Sequence, residues 1–385
     1  MRTRFKIIQA PTVMAKVILL LSLCPCVFVV PTISQDWKTV HAGVEYSEVT
    51  REISGLKVNM NLLRLDLTKV RLDVHHALDK AIGLEKTSSI ATRHDAVAAI
   101  NSGFFRLDSS KFAGDSAGVL IIDNRLLSES NKRIALLVKN DSSETKTLLT
   151  HLDVFPTVKV SKFPFGINGL NRERKNNELV LYTPKFGSTT LTDAGGLEYI
   201  VRKNRITAIS GAGNCTIPSD GLVISTGKDW KPLASTDILT VGSRVEVTWY
   251  DAVPKEARLQ FHIEDAVAGV PQLIKNGKID ITWEQEKTTK AFVETRHPRT
   301  AVAMLKDGKF LMITVDGRSE SSGGIGLQDL ADYLLSLGAT DAMNLDGGGS
   351  TTMFLDGKVV NHPSDKEGER KVGDAILVTL RKNRK

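Results

Sequence analysis

The sequence predicts an α+β (mixed α/β) fold, with a twisted, mostly mixed β-sheet core, few helices and one βαβ crossover near the C-terminus. Two observations predict it. Between Leu136 and Val270, short β-type runs alternate with turn signals, which is typical of sheet. Nearer the C-terminus, two apolar strand-like runs flank one amphipathic helical segment. The 385 residues, 41% of them hydrophobic and 25% charged, are enough to bury a large core.

The first 34 residues predict a secretory signal peptide. Four basic residues precede an apolar run over residues 17–30, and Ser34 is a plausible cleavage point. That run is shorter than the roughly 20 residues of a membrane span. We therefore expect a secreted or periplasmic (extracytoplasmic) protein, with no stable membrane span after cleavage. An uncleaved anchor and a lipoprotein site at Cys24 are the alternatives.

The net charge argues against nucleic-acid binding, and the cysteine content excludes cysteine-based cross-links and metal clusters within the mature chain. The formal net charge of +7 falls to about −1 without residues 1–34 and the basic tail 381–385, because eight of the 51 basic residues lie there. A body without a basic field is not expected to bind nucleic acid. Only Cys215 lies outside the signal segment, which excludes an intramolecular disulfide or a thiolate zinc cluster in the mature chain. Residues 35–95 are predicted to form strands that pack on the domain that follows.

The C-terminal third predicts a defined order of elements. The run "TAVAMLKDGKFLMITVDGR" reads as two strands that turn at Asp307-Gly308, and "TMFLDGKVV" as a second hairpin that turns at Asp356-Gly357. Between them, "GLQDLADYLLSLGA" predicts a helix that stops at Gly338. Its apolar face is formed by leucines at helical spacing, namely Leu327, Leu330, Leu334 and Leu337. "DAMNLD" and "AILVTL" predict two further strands.

The strand–helix–strand order brings two aspartates together. Strands joined by a helical crossover run in the same direction, so the strands ending near Val315 and Leu345 should end at one edge of the sheet. Asp316 and Arg318 follow the first strand, and Asp346 follows the second. Ligands commonly bind at such an edge. We therefore expect Asp316 and Asp346 to line one cleft.

The run after Asp346 predicts a close approach of the backbone to an anion. Glycines let backbone N–H groups reach a phosphate, and hydroxyls add donors; the residues concerned are Gly347, Gly348, Gly349, Ser350 and Thr351. Alone, the pattern is more typical of a tight structural turn than of an anion site. It lacks the lysine of a nucleotide-binding loop and is not followed by a helix, which argues against nucleotide hydrolysis.

Two upstream stretches add candidate ligand-binding side chains. In "ETRHPRTAVAML", Arg296 and Arg299 flank Pro298, and guanidinium groups suit bidentate contact with phosphate or carboxylate. His297 lies between them as a possible donor or base, although an isolated histidine is more often structural. Asn101 ends the apolar run "AVAAI" and is placed to hydrogen-bond a sugar hydroxyl.

The stretches "AAINSGFF", "RHPRTAVAML", "VDGR", "GLQDLADYLLSLGATDAMNLDGGGST" and "NHPSDKEGERKVGDAILV" resemble the phosphodiester glycosidase family. The resemblance is strongest over about residues 96–378 and implies a phosphodiester glycosidase domain over residues 96–380. It implies hydrolysis of a sugar-1-phosphodiester at the anomeric carbon, giving a free sugar, GlcNAc-like, and a phosphomonoester. Bacterial members of the family are associated with exopolysaccharide synthesis. Asp374, where the family usually has asparagine, and Ser102, where glycine is more frequent, put the substrate preference in doubt.

The chemistry implied by the resemblance assigns roles to the candidate residues. Glycoside cleavage commonly uses two carboxylates, for which Asp316 and Asp346 are the candidates and Glu369 a reserve. A phosphate leaving group is a weak base, so it needs charge stabilisation more than protonation. The predicted binding set is Asn101, Arg296, His297, Arg299, Arg318, Gly347, Gly348, Gly349, Ser350 and Thr351.

Two other functions stay open at this point. Asp316, Asp346 and Asp374 together would suit a hard divalent cation, as in a metal-dependent phosphodiesterase. Alternatively, the domain would bind or assemble exopolysaccharide without catalysis. No cofactor is required by the sequence, a divalent cation is possible, and the expected partner is a sugar-phosphate or phosphopolysaccharide substrate. The oligomeric state is left open.

Overall fold

Among the residues that the structure describes, β-strands are the main secondary structure and turns connect many of them. The computed structural model describes residues 35–129, 132–231, 238–251 and 262–381. The predicted signal peptide, and all of the predicted basic tail except Arg381, lie outside these residues. Within the described ranges, no helix has both the length and the apolar character needed to cross a membrane.

The largest sheet, sheet 1, has eight strands and combines the N-terminal and C-terminal parts of the chain. In spatial order its strands are β1 (Lys38–His41), β2 (Val44–Ile53), β3 (Leu56–Leu65), β23 (Phe310–Val315), β22 (Arg299–Leu305), β24 (Ala339–Asn344), β20 (Gln272–Lys275) and β21 (Lys278–Ile279). Because β3 pairs directly with β23, the segment predicted as N-terminal strands that pack on the following domain contributes strands to the sheet that carries Asp316.

Sheet 2 lies against sheet 1 and has five strands. They are β26 (Lys358–Val359), β25 (Met353–Leu355), β6 (Ala98–Asn101), β28 (Asp374–Leu380) and β4 (Val70–His76). Sheet 3 is formed by β10 (Thr145–His151), β9 (Ile134–Asn140), β19 (Asp265–Ala268), β7 (Leu120–Ile122) and β8 (Arg125–Ser128). Sheets 1, 2 and 3 share one apolar core, to which they contribute residues such as Met312, Ile376 and Leu136.

The remaining strands form three smaller sheets. Sheet 4 consists of β13 (Gly169–Leu170), β14 (Leu179–Tyr182), β17 (Gly221–Gly227), β15 (Gly196–Arg202) and β16 (Arg205–Ser210). Sheet 5 consists of β12 (Phe163–Gly166), β11 (Val154–Val160) and β18 (Val245–Asp251), and sheet 6 of β27 (Lys371–Val372) and β5 (Glu85–Lys86). A second apolar core lies beneath sheets 3, 4 and 5.

The described residues form three α-helices, α1 (Thr87–Arg93), α2 (Lys290–Glu294) and α3 (Leu327–Ser336). Helix α3 follows the periodicity that predicted it, because Leu327, Leu330 and Leu334 are fully buried. They pack on the face of sheet 1 opposite the shared core. Sheet 1 is therefore buried on both faces, which explains why its central strands are continuously apolar.

The predicted fold class is wrong, because the protein is mostly β. Strands account for 47% of the chain and helices for 9%, and neighbouring strands are nearly all antiparallel. The two strands that flank α3 do run in the same direction, but they are not neighbours, since β22 lies between β23 and β24 and is antiparallel to both. One strand–helix–strand unit is a poor guide to a chain in which hairpins such as β22–β23 and β25–β26 dominate.

Candidate active site

Strand ends from sheets 1 and 2 meet at one edge. In sheet 1, β23 and β24 end beside the beginning of β22, where Arg299 pairs with Val315 and Ala301 with Asn344. In sheet 2, β6 ends beside the beginning of β28, where Asn101 pairs with Ala375. The residues that follow or begin these strands include Asn101, Asp316, Asp346 and Asp374. The topology therefore gathers an amide and three carboxyl groups from distant parts of the sequence.

Asn101 holds the glycine turn (residues 346–352) between the two sheets. Its Nδ2 donates to the carbonyl oxygen of Asp346 at 2.7 Å, and its Oδ1 accepts from the backbone N–H of Thr352 at 3.0 Å. The same Oδ1 accepts from the hydroxyl of Thr300 on β22 at 2.8 Å. Asn101 is completely buried. The role predicted for it, as a donor to a sugar hydroxyl, is not the one its contacts show, because they fix both ends of the turn.

Close contacts explain why each of the three glycine positions of the turn has no side chain. A Cβ on Gly347 would lie 2.7 Å from the carbonyl oxygen of Pro298. Gly348 has a φ of +60°, and a Cβ there would lie 3.0 Å from Arg318 Nη2. A Cβ on Gly349 would collide with the ion pair between Asp365 and Arg370, which lies across the turn. Glycine therefore lets two guanidinium groups approach the backbone of the turn.

Most of the amides of the turn are already bonded inside the protein. The N–H of Gly347 donates to the Asp346 carboxylate at 2.9 Å, and the N–H of Gly348 donates to the carbonyl oxygen of Pro298 at 2.8 Å. Within the turn, the N–H of Ser350 donates to the carbonyl oxygen of Gly347 at 3.1 Å, and that of Thr351 to the carbonyl oxygen of Gly348 at 3.3 Å. These four amides are not free to hold a phosphate as the sequence predicted. Positive charge at the turn comes from the guanidinium groups.

Arg318 is an exposed guanidinium beside the turn. Within the described part of the chain, no carboxylate lies at ion-pair distance from it. Its Nη2 lies 3.4 Å from Nδ1 of His297. Burial, and then the charges of Arg299 and Arg318, lower the pKa of His297, so its ring is neutral at pH 7 and can accept this contact. Arg318 therefore brings an uncompensated positive charge to the glycine turn.

Asp316 is a buried carboxylate held by hydrogen bonds. Its Oδ1 accepts from Asn361 Nδ2 at 3.1 Å and from the backbone N–H of His362 at 3.0 Å, and its Oδ2 lies 3.2 Å from Nδ1 of His362. Burial raises the pKa of Asp316 and these bonds oppose the shift. Asn361 Nδ2 also donates to the carbonyl oxygen of Thr351 at 3.0 Å. One amide group thus links Asp316 to the glycine turn.

Asp346 has a raised pKa. Burial raises its pKa to about 6, against the effects of the Ser350 hydroxyl, the Gly347 N–H and the charge of Arg370. The charge of Asp374 adds to the increase. Carboxyl groups with such a pKa exchange protons readily near neutral pH, which is a common property of catalytic groups.

Asp374 lies behind Asp346 and is fully buried. Its Oδ1 accepts from the Ser102 hydroxyl and from the Gly103 N–H, both at 2.5 Å. Its Oδ2 has no hydrogen-bond partner among the described residues. Burial raises the pKa of Asp374, and the charge of His76, opposite it on β4, works against that shift. Asp374 is therefore a buried carboxyl group whose charge raises the pKa of Asp346.

Two predicted phosphate ligands have structural contacts instead. Arg296 donates to the carbonyl oxygens of Ile53 at 3.1 Å and Gly324 at 2.7 Å, and pairs with Asp329 at 3.3 Å. Arg299 is buried and lies over the Phe292 ring, with its guanidinium carbon 4.9 Å from the ring centroid. It donates to the carbonyl oxygens that end α2, and burial lowers its pKa to about 10. Both guanidinium groups hold loops together.

Glu369, the predicted reserve acid, caps a helix. Its two carboxylate oxygens accept from the backbone N–H of Ser88 at 2.8 Å and from the Ser88 hydroxyl at 2.5 Å, in the first turn of α1. The next residue, Arg370, reaches the glycine turn and was missed, as were Asn361 and His362. The motif "NHPSDKEGERKV" contains all three and was the signal from which they could have been found.

We predict that Asn101→Ala destabilises the protein by about 3 kcal/mol, because it leaves buried backbone groups of Asp346 and Thr352 without partners. Chemical denaturation measures the free energy of unfolding. Asn59→Ala is the control, because Asn59 also bonds a hydroxyl and a carbonyl oxygen, those of Thr50 and Ser321, but at the surface. Equal losses in the two variants would contradict the role given to Asn101.

Comparison with known proteins identifies a family match and similar sequences. Residues 195–379 match the family model described as phosphodiester glycosidase. A segment of 108 residues is 39% identical to the bovine N-acetylglucosamine-1-phosphodiester alpha-N-acetylglucosaminidase; it covers 26% of this chain and 20% of that enzyme. The chain thus spans only about a fifth of that relative.

Two solved structures share the fold. A hypothetical protein from Synechocystis superimposes with a TM-score of 0.77 at 23% identity, over 90% of this chain and 64% of the other. A Burkholderia pseudomallei protein described as exported gives a TM-score of 0.70 at 23% identity, over 84% of this chain and 74% of the other. The resemblance read from the sequence motifs is confirmed by the family match, which places a phosphodiester glycosidase domain over residues 195–379.

Proposed function

We propose that the protein hydrolyses a sugar-1-phosphodiester at the anomeric carbon and releases a free sugar, GlcNAc-like, and a phosphomonoester. The observation that carries the proposal is that the uncompensated Arg318 guanidinium, the buried carboxyl group of Asp316 and the partly buried carboxyl group of Asp346 lie around one glycine turn. A positive charge suits the phosphodiester, and two carboxyl groups suit cleavage of the bond to the sugar. The family match supports a hydrolase that acts on a phosphodiester-linked sugar.

In this proposal Arg318 binds the phosphodiester and stabilises the charge that develops on the departing phosphate. Arg370 is less available, since both of its donor nitrogens nearest Asp365 are bonded to that carboxylate, at 2.7 and 2.9 Å. His297 is neutral and keeps Arg318 oriented without competing for the anion. The hydroxyls of Thr351 and Thr352 are buried without hydrogen-bond partners among the described residues, and add donors beside the turn.

Asp346 is proposed as the acid–base group. A phosphate monoester leaves without protonation, so the step that needs help is the removal of a proton from the attacking water. A carboxylate with a pKa of about 6 is ionised at pH 7 and is still basic enough to accept that proton. Asp316 carries the second carboxylate, whose charge stabilises the positive character that develops at the anomeric carbon.

A metal-dependent phosphodiesterase is the rival reading, and it has less support. Among the described residues, the ligand atoms that come within 4.8 Å of one another as a metal-binding group belong to His75, Asp79 and His94, not to Asp316, Asp346 and Asp374. Asp316 and Asp374 already accept hydrogen bonds from protein groups. A non-catalytic exopolysaccharide-binding role has no specific contact in its favour.

We also propose that the protein acts outside the cytoplasm. The pattern of residues 1–34 predicts a secretory signal, and one protein of the same fold is described as exported. The natural substrate would then be an extracytoplasmic sugar phosphodiester or phosphopolysaccharide.

The direct test is turnover of a panel of sugar-1-phosphodiesters, with and without chelator. We expect hydrolysis of at least one α-linked amino-sugar substrate, unaffected by chelator and reduced by about 10³-fold in Asp316→Asn and in Asp346→Asn. Asp332→Asn, a change of an exposed carboxylate on α3, is the control. Turnover that survives both site substitutions would place the chemistry elsewhere.

The pH dependence of kcat/KM should report Asp346. We expect activity to increase with pH through about 6, because the carboxylate is the reactive form.

The protonation of Asp346 should also make the free energy of unfolding depend on pH. Its folded pKa lies above the ordinary 3.8, so the native state holds an extra proton between these values. The free energy of unfolding therefore falls as pH rises across that window, and Asp346→Asn should remove this fall. A free energy of unfolding that falls equally across this pH window in Asp346→Asn and in the wild type would contradict the assignment.

Arg318→Ala should lower kcat/KM by about 10²–10³-fold, because it removes the uncompensated charge that faces the phosphate. The free energy of unfolding should stay within about 0.5 kcal/mol of the wild-type value, since the exposed guanidinium has no carboxylate partner among the described residues. Arg202→Ala, which removes another exposed arginine, serves as the matched control. Equal kcat/KM values in the two variants would remove Arg318 from the site.

A further inference from the structure

Two imidazoles and a carboxylate meet away from the glycine turn. His75 lies near the end of β4, Asp79 in the 3₁₀ turn Ala77–Asp79, and His94 directly after α1. One ligand atom from each residue lies within 4.8 Å of the others. The histidines are half-buried and the aspartate is exposed. Imidazole nitrogen with carboxylate oxygen is a donor set that zinc and similar transition metals prefer.

The two imidazole rings lie in contact. Their rings stack with centroids 3.7 Å apart and an interplanar angle of 28°. Burial lowers the pKa of His75, and the nearby His94 lowers it further, which favours the neutral form of the His75 ring that binds metal. A metal ion must lie in the plane of each ring that binds it. Binding therefore requires one ring to rotate out of the stack.

A cavity leaves room for further metal ligands. It has a volume of about 240 Å³ and is lined by His75, Asp79 and His94 together with groups such as Asp123 and Lys185. Metal sites with three protein ligands keep an open position for water or another small ligand. The cavity supplies the space for that position.

Arg93 lies against two of the three ligands, Asp79 and His94. Its Nη1 contacts the Asp79 carboxylate and lies 2.9 Å from Nε2 of His94, which is itself 3.0 Å from Asp79 Oδ1. The other guanidinium nitrogens are bonded to Glu85, at 3.3 and 2.8 Å. One proton on His94 Nε2 cannot satisfy both neighbours, because Arg93 only donates and Asp79 only accepts. A cation bound by both His94 and Asp79 resolves this conflict.

We propose that His75, Asp79 and His94 bind a divalent transition-metal ion such as Zn²⁺, with Arg93 as the competing cation in its absence. Such an ion would link β4, the turn after it and the end of α1. The proposal is independent of the proposed hydrolysis, which uses residues of the glycine turn and no metal.

The test is calorimetric titration of the full-length, untagged protein with ZnCl₂ at pH 7.5, after removal of metal with a chelator. We expect one saturable site per chain and an increase in Tm on adding zinc. His75→Gln and His94→Gln should each weaken binding at least tenfold, because they remove a ligand. Arg93→Met should tighten binding, because it removes the competing cation.

His41→Gln is the matched control, since His41 and Asp356 form a histidine–aspartate pair, at 2.6 Å, to which no third metal ligand is assigned among the described residues. Circular dichroism confirms that each variant is folded, and Arg93→Met keeps the test informative if a histidine variant does not fold. Absence of saturable binding to the wild-type protein would overturn the proposal. So would equal affinities in wild type, His75→Gln and His94→Gln.

Discussion

The hydrogen bonds of Asn101 are the constraint on which the site depends. Asn101 belongs to sheet 2, yet its amide bonds both ends of the glycine turn and the Thr300 hydroxyl of sheet 1. Because the side chain is completely buried, these bonds do not compete with water. They fix the spacing of the two sheets where their strands end. Asp346, the first residue of the turn, is consequently held in place from both sides.

Three of the four arginines near the site make contacts within the protein, and the fourth, Arg318, remains available to a ligand. Arg296 and Arg299 donate to backbone carbonyl oxygens, and their charges are used in holding the loops around α2 and α3. Arg370 is neutralised by Asp365. Arg318 alone among these four has no such partner in the described structure, and glycine at position 348 lets it lie close to the turn. The proposed binding of a phosphodiester therefore rests on one guanidinium and not on the turn amides.

The sequence predicted the placement of Asp316 and Asp346 at one edge more accurately than it predicted the fold class. The apolar spacing of α3 and the two Asp-Gly turns follow local rules, and they were sufficient to bring Asp316 and Asp346 to one edge. The fold class failed because strand pairing between distant segments, such as β3 with β23 and β4 with β28, leaves no local signal. The roles of Asn101, Arg296, Arg299 and Glu369 depend on such distant contacts as well, and so do those of Arg370 and Asn361.

The central claim is that the turn and its two carboxyl groups break the bond between the sugar carbon and oxygen, leaving the phosphate intact. The most direct measurement is hydrolysis in ¹⁸O-labelled water, followed by mass spectrometry of the released phosphomonoester, whose oxygens do not exchange with water under these conditions. Attack at the anomeric carbon predicts a phosphomonoester without label. A phosphomonoester that carries one ¹⁸O atom would show attack at phosphorus and would contradict the account.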